Sequence, residues 1–200
     1  MLRANGRFLQ ITALLENQMN ALRVLLLSCS CLLLSGCLVL FNSPIAALEA
    51  APTRLLGSWQ RDNEWGEQLQ LQISATAGNH YVAQIRVLGQ DAEPEVYPFT
   101  VTHSGERWYA SIGLPKRFGE NYAIAGFEIT KRNELVLYSL DPERFLQELK
   151  NGTLQGQVVE SQGSASALIS SPLSQVFGYL SEPANTDVFI ESARYQRIEQ

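Results

Sequence analysis

The segment EQLQLQISATAGNHYVAQIRVL, residues 67–88, decides the fold. In residues 67–75 leucine or isoleucine alternates with polar residues, mostly glutamine, so an extended chain has one apolar face and one polar face. Ala77-Gly78-Asn79 is typical of a tight turn, and residues 80–88 resume the alternation. The segment therefore predicts an antiparallel hairpin with one buried face and one face in water.

The same period of two recurs on both sides of the hairpin and predicts a meander of about eight strands. Leu55-Leu56-Gly57-Ser58-Trp59 opens this domain. The other predicted strands are residues 96–103, 107–114, 121–130, 134–140, 153–160, 165–169 and 188–198. Asp141-Pro142 and Ser171-Pro172 each predict the capped start of a short helix. An all-β chain with two short helices forms a sandwich or a closed barrel, and closure best removes the exposed edges.

The charge distribution disfavours nucleic acid as a partner. The whole chain has a formal net charge of −5, from 15 Lys and Arg against 20 Asp and Glu. The part after residue 36 holds 12 of these basic side chains and 19 of the acidic ones. Binding to nucleic acid depends on neutralising phosphates, which an acidic domain with scattered basic residues does poorly.

The reactive residue types indicate neither a metal nor a catalytic centre. All three cysteines, Cys29, Cys31 and Cys37, precede the domain, which therefore has no disulfide framework and no cysteine-based metal site. The only histidines are His80 and His103, and no metal-binding spacing joins them. No serine stands in a nucleophile motif. We therefore predict a protein without a metal or cofactor that is not an enzyme.

Residues 1–36 are typical of an export signal. Met19 offers a second start, and Arg23 with the apolar residues through Leu34 gives a positive region followed by an apolar region. No charged residue stands between Arg23 and Glu49. We interpret residues 1–36 as a leader whose functional start is Met19 or Met1.

The end of the leader, Leu34-Ser35-Gly36-Cys37, resembles the lipobox of bacterial lipoproteins. The resemblance implies cleavage before Cys37, a diacylglycerol on the Cys37 thiol and an acyl chain on the new amine. Several acyl chains give stable anchoring to membrane lipid, whereas one chain binds only marginally. Because residue 38 is leucine and not aspartate, the resemblance implies the outer membrane, with the domain facing the periplasm.

A second interpretation stays open, because the apolar run continues through residues 38–41. From Leu22 to Phe41 it is about 20 residues long, enough to span a bilayer as a helix. An uncleaved single-pass anchor would be oriented by Arg23, with the domain outside the cytoplasm. With lipidation, residues 37–53 are the modified cysteine and a linker, and residues 54–200 are the domain.

Gly57-Ser58-Trp59 resembles the G-x-W that opens lipocalin-like β-barrels, and Arg197 would supply the arginine that packs over Trp59 and closes the barrel. The chain is also similar to small bacterial lipoproteins of uncharacterised function. The segments that carry this similarity are residues 135–141, 151–156, 171–172 and 195–197. The resemblance implies an antiparallel lipocalin-like barrel of about eight strands and an envelope location, but no activity.

Four aromatic residues are candidates for a ligand pocket: Tyr81, Phe99, Trp108 and Tyr122. Small barrels often hold one ligand, so these side chains either line a cavity for an apolar or amphipathic molecule or fill the core. The alternative function is that of an accessory subunit in an envelope assembly, which an exposed apolar patch would favour.

Overall fold

The structure is a computed structural model, and it describes residues 38–115, 119–161 and 164–198. The chain divides into two compact units, and the larger one, Cys37–Glu160 with Ala165–Gln200, holds the two α-helices and nearly all of the sheet that the structure describes. The leader and the lipobox, including Cys37, lie outside the described residues.

Strands dominate the described part of the chain, as the sequence predicts. They are β1 (Val39–Phe41), β2 (Gly57–Asp62), β3 (Gln68–Ala75), β4 (Tyr81–Val87), β5 (Glu95–Ser104), β6 (Arg107–Gly113), β7 (Tyr122–Ile129), β8 (Glu134–Leu140), β9 (Gly156–Ser161), β10 (Ser164–Ile169) and β11 (Phe189–Arg197). The α-helices are α1 (Pro142–Asn151) and α2 (Leu173–Ser181), and 3₁₀ turns cover Thr53–Leu55 and Pro183–Val188.

Eight of the strands close into an antiparallel barrel. Their order is β2-β3-β4-β5-β6-β7-β8-β11, and β11 pairs back with β2. The predicted hairpin forms part of this wall as β3 and β4, with Leu71 opposite Ile85. Leu71 and Ile73 are buried, as the alternation requires. The predicted all-β fold with a closed antiparallel barrel is thus confirmed.

The short strand β1 departs from the sequence prediction. It runs parallel to β10 on one side and antiparallel to the start of β7 on the other. From Gly126 onward β7 pairs with β8 instead, so β1 occupies the edge that β8 leaves open. All three residues of β1 are buried. The expectation that residues 37–53 are only a linker is therefore wrong for Val39–Phe41, because burial in this gap stabilises an apolar triplet.

The same strand bears on the single-pass interpretation. The single-pass interpretation requires Val39–Phe41 to form the end of a membrane helix that begins at Leu22. In the structure these three residues are extended and paired in a sheet. Within the three described ranges, no helix is both long enough and apolar enough to cross a membrane.

Two clusters of buried side chains stabilise the fold, one on each side of the wall. The cluster inside the barrel consists of Leu55, Trp59, Leu71, Ile73, Tyr81, Phe99, Val101, Phe127, Leu135 and Tyr195. The outer cluster includes Phe41, Ile45, Tyr109, Ile124, Phe145, Leu154, Ile169, Val176 and Val188. Consecutive residues of a strand contribute to different clusters, because their side chains point to opposite faces of the sheet. Trp108 packs against the inner cluster, and Tyr109 belongs to the outer one.

The two helices begin differently. At α1 the predicted cap is present, because the Asp141 carboxylate accepts a hydrogen bond from the backbone N–H of Glu143 at 2.9 Å. At α2 the predicted cap by Ser171 is wrong. Pro172 stands at the cap position without a side-chain hydrogen bond, and Ser171 Oγ accepts instead from the N–H of Gln155 at 2.7 Å. The serine thus joins the start of α2 to the segment before β9.

Candidate functional site

Trp59 and Arg197 lie together at one end of the barrel. Trp59 is completely buried, and its Nε1 donates a hydrogen bond to the carbonyl of Leu55 at 3.0 Å. The guanidinium carbon of Arg197 lies 4.1 Å from the centroid of the Trp59 ring, a cation–π contact worth about 0.5–2 kcal/mol. Arg197 also donates to the backbone carbonyls of Leu56, at 3.1 Å, and of Arg54. Through these contacts Arg197 closes this end of the barrel over Trp59, which is a structural role.

Gly57 makes room for this closure. Its φ is +125°, a backbone conformation that favours glycine. A Cβ atom at this position would lie 2.7 Å from Nη1 of Arg197. Any other residue would therefore displace the guanidinium from Trp59, which gives the G-x-W spacing a steric reason.

The four aromatic residues considered for a pocket do not surround one cavity. Tyr81 and Phe99 are buried in the barrel core, with 5.5 Å between their ring centroids. Trp108 packs against the same core, where its ring centroid lies 6.1 Å from that of Phe127. Tyr122 packs against the outer cluster. Three of the four thus serve as core side chains inside the barrel.

A groove of about 400 Å³ lies on the outer side of β5, β6 and the start of β7. Thr100 and Ser111 are cross-strand partners on this side, whereas Phe99 and Ile112, the adjacent pair, pack in the barrel. Residues 44–47 form one wall of the groove. The other walls include His80, Pro98, Thr100, Ser111, Gly113 and Tyr122, and Phe99 also borders it. The groove therefore contains two of the predicted pocket residues, Phe99 and Tyr122.

The segment that forms this wall, residues 42–52, is termed the strap, and hydrogen bonds hold it on the barrel. Thr100 Oγ1 donates to the carbonyl of Ile45 at 2.6 Å, and Ile45 itself is buried. Further along, the Glu49 carboxylate accepts a hydrogen bond from the backbone N–H of His103 at 2.7 Å. Other bonds join Asn79 to Ala47 and Ala51 to Tyr81. A segment expected to be a linker is thus part of the wall.

The hydroxyl of Ser111 has no hydrogen-bond partner among the described residues. Ser111 is 3% exposed, so the hydroxyl is also withdrawn from bulk water. A buried polar group left unsatisfied costs about 1–3 kcal/mol. Most such groups in native proteins have a partner, and an exception calls for an explanation such as a water molecule or a bound ligand.

The groove is nearly free of charged side chains. Among the described residues that line it there is no Asp, Glu, Lys or Arg. His80 donates from Nδ1 to the carbonyl of Gly78 at 2.9 Å, which fixes the orientation of its ring. Because this described lining offers no counter-charge, an uncharged and mainly apolar molecule suits the groove better than an ion.

Outside the groove, Glu134 and Tyr179 are among the groups with shifted pKa values. Hydrogen bonds from Gln196 and Thr130 and the charge of Arg194 hold the pKa of the Glu134 carboxyl below its ordinary value. Burial raises the pKa of Tyr179 to about 12, so this phenol is neutral at physiological pH. Over the described ranges, no three His, Cys, Asp or Glu side chains are placed to hold a metal ion.

Sequence reasoning missed Ser111 and the strap. Ser111 and Ile112 are neighbours on β6, so their side chains point to opposite faces of the sheet. Because Ile112 is apolar and Ser111 polar, the sequence pattern predicts that Ser111 faces water. The available signal was the apolar character of Ile45 and its neighbours within a stretch of low polarity. The apolar character of these residues predicts that they are buried, but it does not predict which surface of the protein they pack against.

Comparison with known proteins gives no family model that matches the chain and no significant match to a curated protein or to a solved structure.

Proposed function

We propose that this protein is a lipid-anchored lipoprotein of the bacterial envelope that binds a small apolar or amphipathic molecule. The ligand occupies the groove between the strap and the outer side of β5 and β6. The binding domain faces the periplasm, and acyl chains on Cys37 hold it at the outer membrane.

The groove at Ser111 is the observation that carries the binding role. Its volume of about 400 Å³ lies near the lower end of the range of about 300–1,000 Å³ typical of small-molecule sites. Apolar walls with few polar groups are also typical of such sites. The barrel interior is a poorer candidate, because Trp59, Tyr81 and Phe99 fill it.

The anchor is supported by the sequence Leu34-Ser35-Gly36-Cys37 and by its distance from Arg23. It is tested by metabolic labelling with a fatty-acid analogue, comparing the wild type with Cys37→Ala. We expect label on the wild type only and a mature chain that begins at residue 37. A chain that keeps its initiator methionine and carries no label would contradict the lipoprotein proposal.

Ligand binding is tested by blocking the groove. A Cβ atom on Gly113 would meet its nearest neighbour, Tyr122 Cε1, at 3.8 Å, so a larger side chain fits the backbone and fills the groove. We expect solvent extracts of the purified wild-type protein to contain a small molecule that Gly113→Leu loses. Gly178→Leu is the matched control, because Gly178 is exposed and has open space around it. Equal extracts from all three proteins would contradict binding in the groove.

The exposed Trp65 favours a second candidate, an accessory subunit of an envelope assembly. Its side chain is 69% exposed between β2 and β3. Asn63 Oδ1 accepts hydrogen bonds from the backbone of Trp65 and Glu67, which holds the tip in place. Exposed tryptophans are frequent hot spots of interfaces. Photo-crosslinking from position 65, with the exposed Leu48 as control position, would capture a partner at 65 alone if this function holds.

A further inference from the structure

The structure describes five buried serine and asparagine residues, and the unsatisfied hydroxyl of Ser111 distinguishes it from the other four. The buried hydroxyl of Tyr179 also has no described partner, but it does not line the groove. Ser58 donates to Gln72, and Asn185 donates to the carbonyl of Tyr179. The two remaining members of the group accept backbone N–H groups, Ser166 from Leu38 and Ser171 from Gln155. Ser111 alone in this group has no partner, and it alone of the five borders the groove.

The cross-strand neighbour of Ser111 does not supply the missing bond. Thr100 lies directly opposite on β5, but its hydroxyl donates its proton to the carbonyl of Ile45. The strap thus uses one of the two neighbouring hydroxyls and leaves the other free. Of these two hydroxyls, only that of Ser111 still has a proton that no described group accepts, so it is the one that can donate to a molecule in the groove.

We infer that the ligand of the groove is an apolar molecule with one neutral polar group, an alcohol or a carbonyl, which hydrogen-bonds to Ser111. The inference rests on the proposed binding function and specifies its ligand. A serine hydroxyl both donates and accepts, so it serves either of these groups. A carboxylate suits the site less well, because the described lining offers no cation to offset its desolvation.

Three probes with the same ten-carbon chain test this inference: 1-decanol, decane and decanoate. Binding is measured as the rise in melting temperature of the full-length protein held in amphipol, since a ligand of the folded state stabilises it by mass action. The probes partition into amphipol to different extents, but this partition is the same for every variant. The informative quantity is therefore the ratio of apparent Kd between variant and wild type for each probe.

For Ser111→Ala we expect affinity for 1-decanol to fall about 3- to 10-fold, the value of one neutral hydrogen bond, while affinity for decane stays unchanged. Ser166→Ala is the matched control, because Ser166 is also buried but bonds to Leu38. It should change neither ratio. The melting temperature of ligand-free Ser111→Ala should not fall, since the lost hydroxyl has no partner among the described residues.

The outcomes separate this inference from the function on which it rests. Equal loss, or no loss, for 1-decanol and decane in Ser111→Ala would overturn the role of Ser111 while the groove remained a ligand site. A stronger effect of Ser111→Ala on decanoate than on 1-decanol would overturn the preference for a neutral group. If none of the three probes stabilises the wild type, both the groove as a ligand site and the inference fail.

Discussion

The inner and outer sides of β5 and β6 differ in how their side chains are satisfied. On the inner side Phe99 packs against Tyr81, and the interior continues to the completely buried Trp59. On the outer side, at the adjacent cross-strand pair, Thr100 holds the strap and Ser111 has no partner within the described chain. The difference teaches that one pair of strands can stabilise the barrel with its inner face and border a groove for a ligand with its outer face.

The largest expected loss of stability comes from a substitution on the inner side. Trp59→Ala removes a completely buried ring together with its contacts to Leu55 and Arg197, so we expect the free energy of unfolding to fall by about 3–5 kcal/mol. Trp65→Ala is the control, since a side chain that is 69% exposed should change stability by no more than about 0.5 kcal/mol. Urea unfolding measures both, and similar losses in the two variants would contradict the assignment of Trp59 to the core.

A smaller effect tests whether the closure depends on Gly57. Gly57→Ala places a Cβ atom 2.7 Å from Arg197 Nη1 at a φ of +125°, so we expect a loss of about 1–3 kcal/mol. In the Arg197→Ala background the clash is absent and only the backbone strain remains. The effect of Gly57→Ala should therefore be smaller there. A double-mutant cycle measured by urea unfolding checks this, and strictly additive losses would show that Gly57 does not make room for the guanidinium.

The next effect concerns the outer side, where Thr100→Val removes the hydrogen bond to the carbonyl of Ile45. We expect a loss of about 1 kcal/mol, the usual net value of one hydrogen bond. The loss should be local, with faster amide exchange in the strap than in β3 and β4. Thr186→Val is a suitable control, because the exposed Thr186 bonds to Pro183 within a 3₁₀ turn and not to the strap. Uniformly faster exchange through the barrel would contradict a strap that opens independently.

The barrel was predictable because its signals are local. Alternation in residues 67–75, the Ala77-Gly78-Asn79 turn and the Asp141 cap each involve neighbours in sequence, and they specified strands, turn and helix correctly. The contact of Trp59 with Arg197 joins distant residues and followed from a resemblance to a family, not from spacing.

The groove was not predictable because it depends on where distant segments meet. Val39–Phe41 fill a gap that exists only because β7 and β8 separate near Gly126. The strap then follows β1 across the outer wall, where Ile45 reaches Thr100 over 55 positions of sequence. The local sequence pattern encodes neither the divergence of two strands nor the unsatisfied hydroxyl of Ser111. The prediction therefore relied on the aromatic residues, and these suggested a pocket inside the barrel.

The smallest expected effect comes from the outer wall beside β11, where polar groups satisfy one another. Glu134 accepts hydrogen bonds from Gln196 at 3.0 Å and from Thr130 at 3.1 Å, and it pairs with Arg194 at 2.9 Å. These contacts lower the pKa of Glu134 in the folded state. Its contribution to stability is therefore present above the unfolded pKa of about 4.3 and is lost as the pH falls through the lower folded value.

Glu134→Gln should accordingly lose little stability at pH 3 and more at pH 7, so the pH dependence of unfolding becomes flatter below about pH 4.3. Urea unfolding across this range measures the effect, with the exposed Glu64→Gln as control. An unchanged slope would show that Glu134 gains nothing from its neighbours.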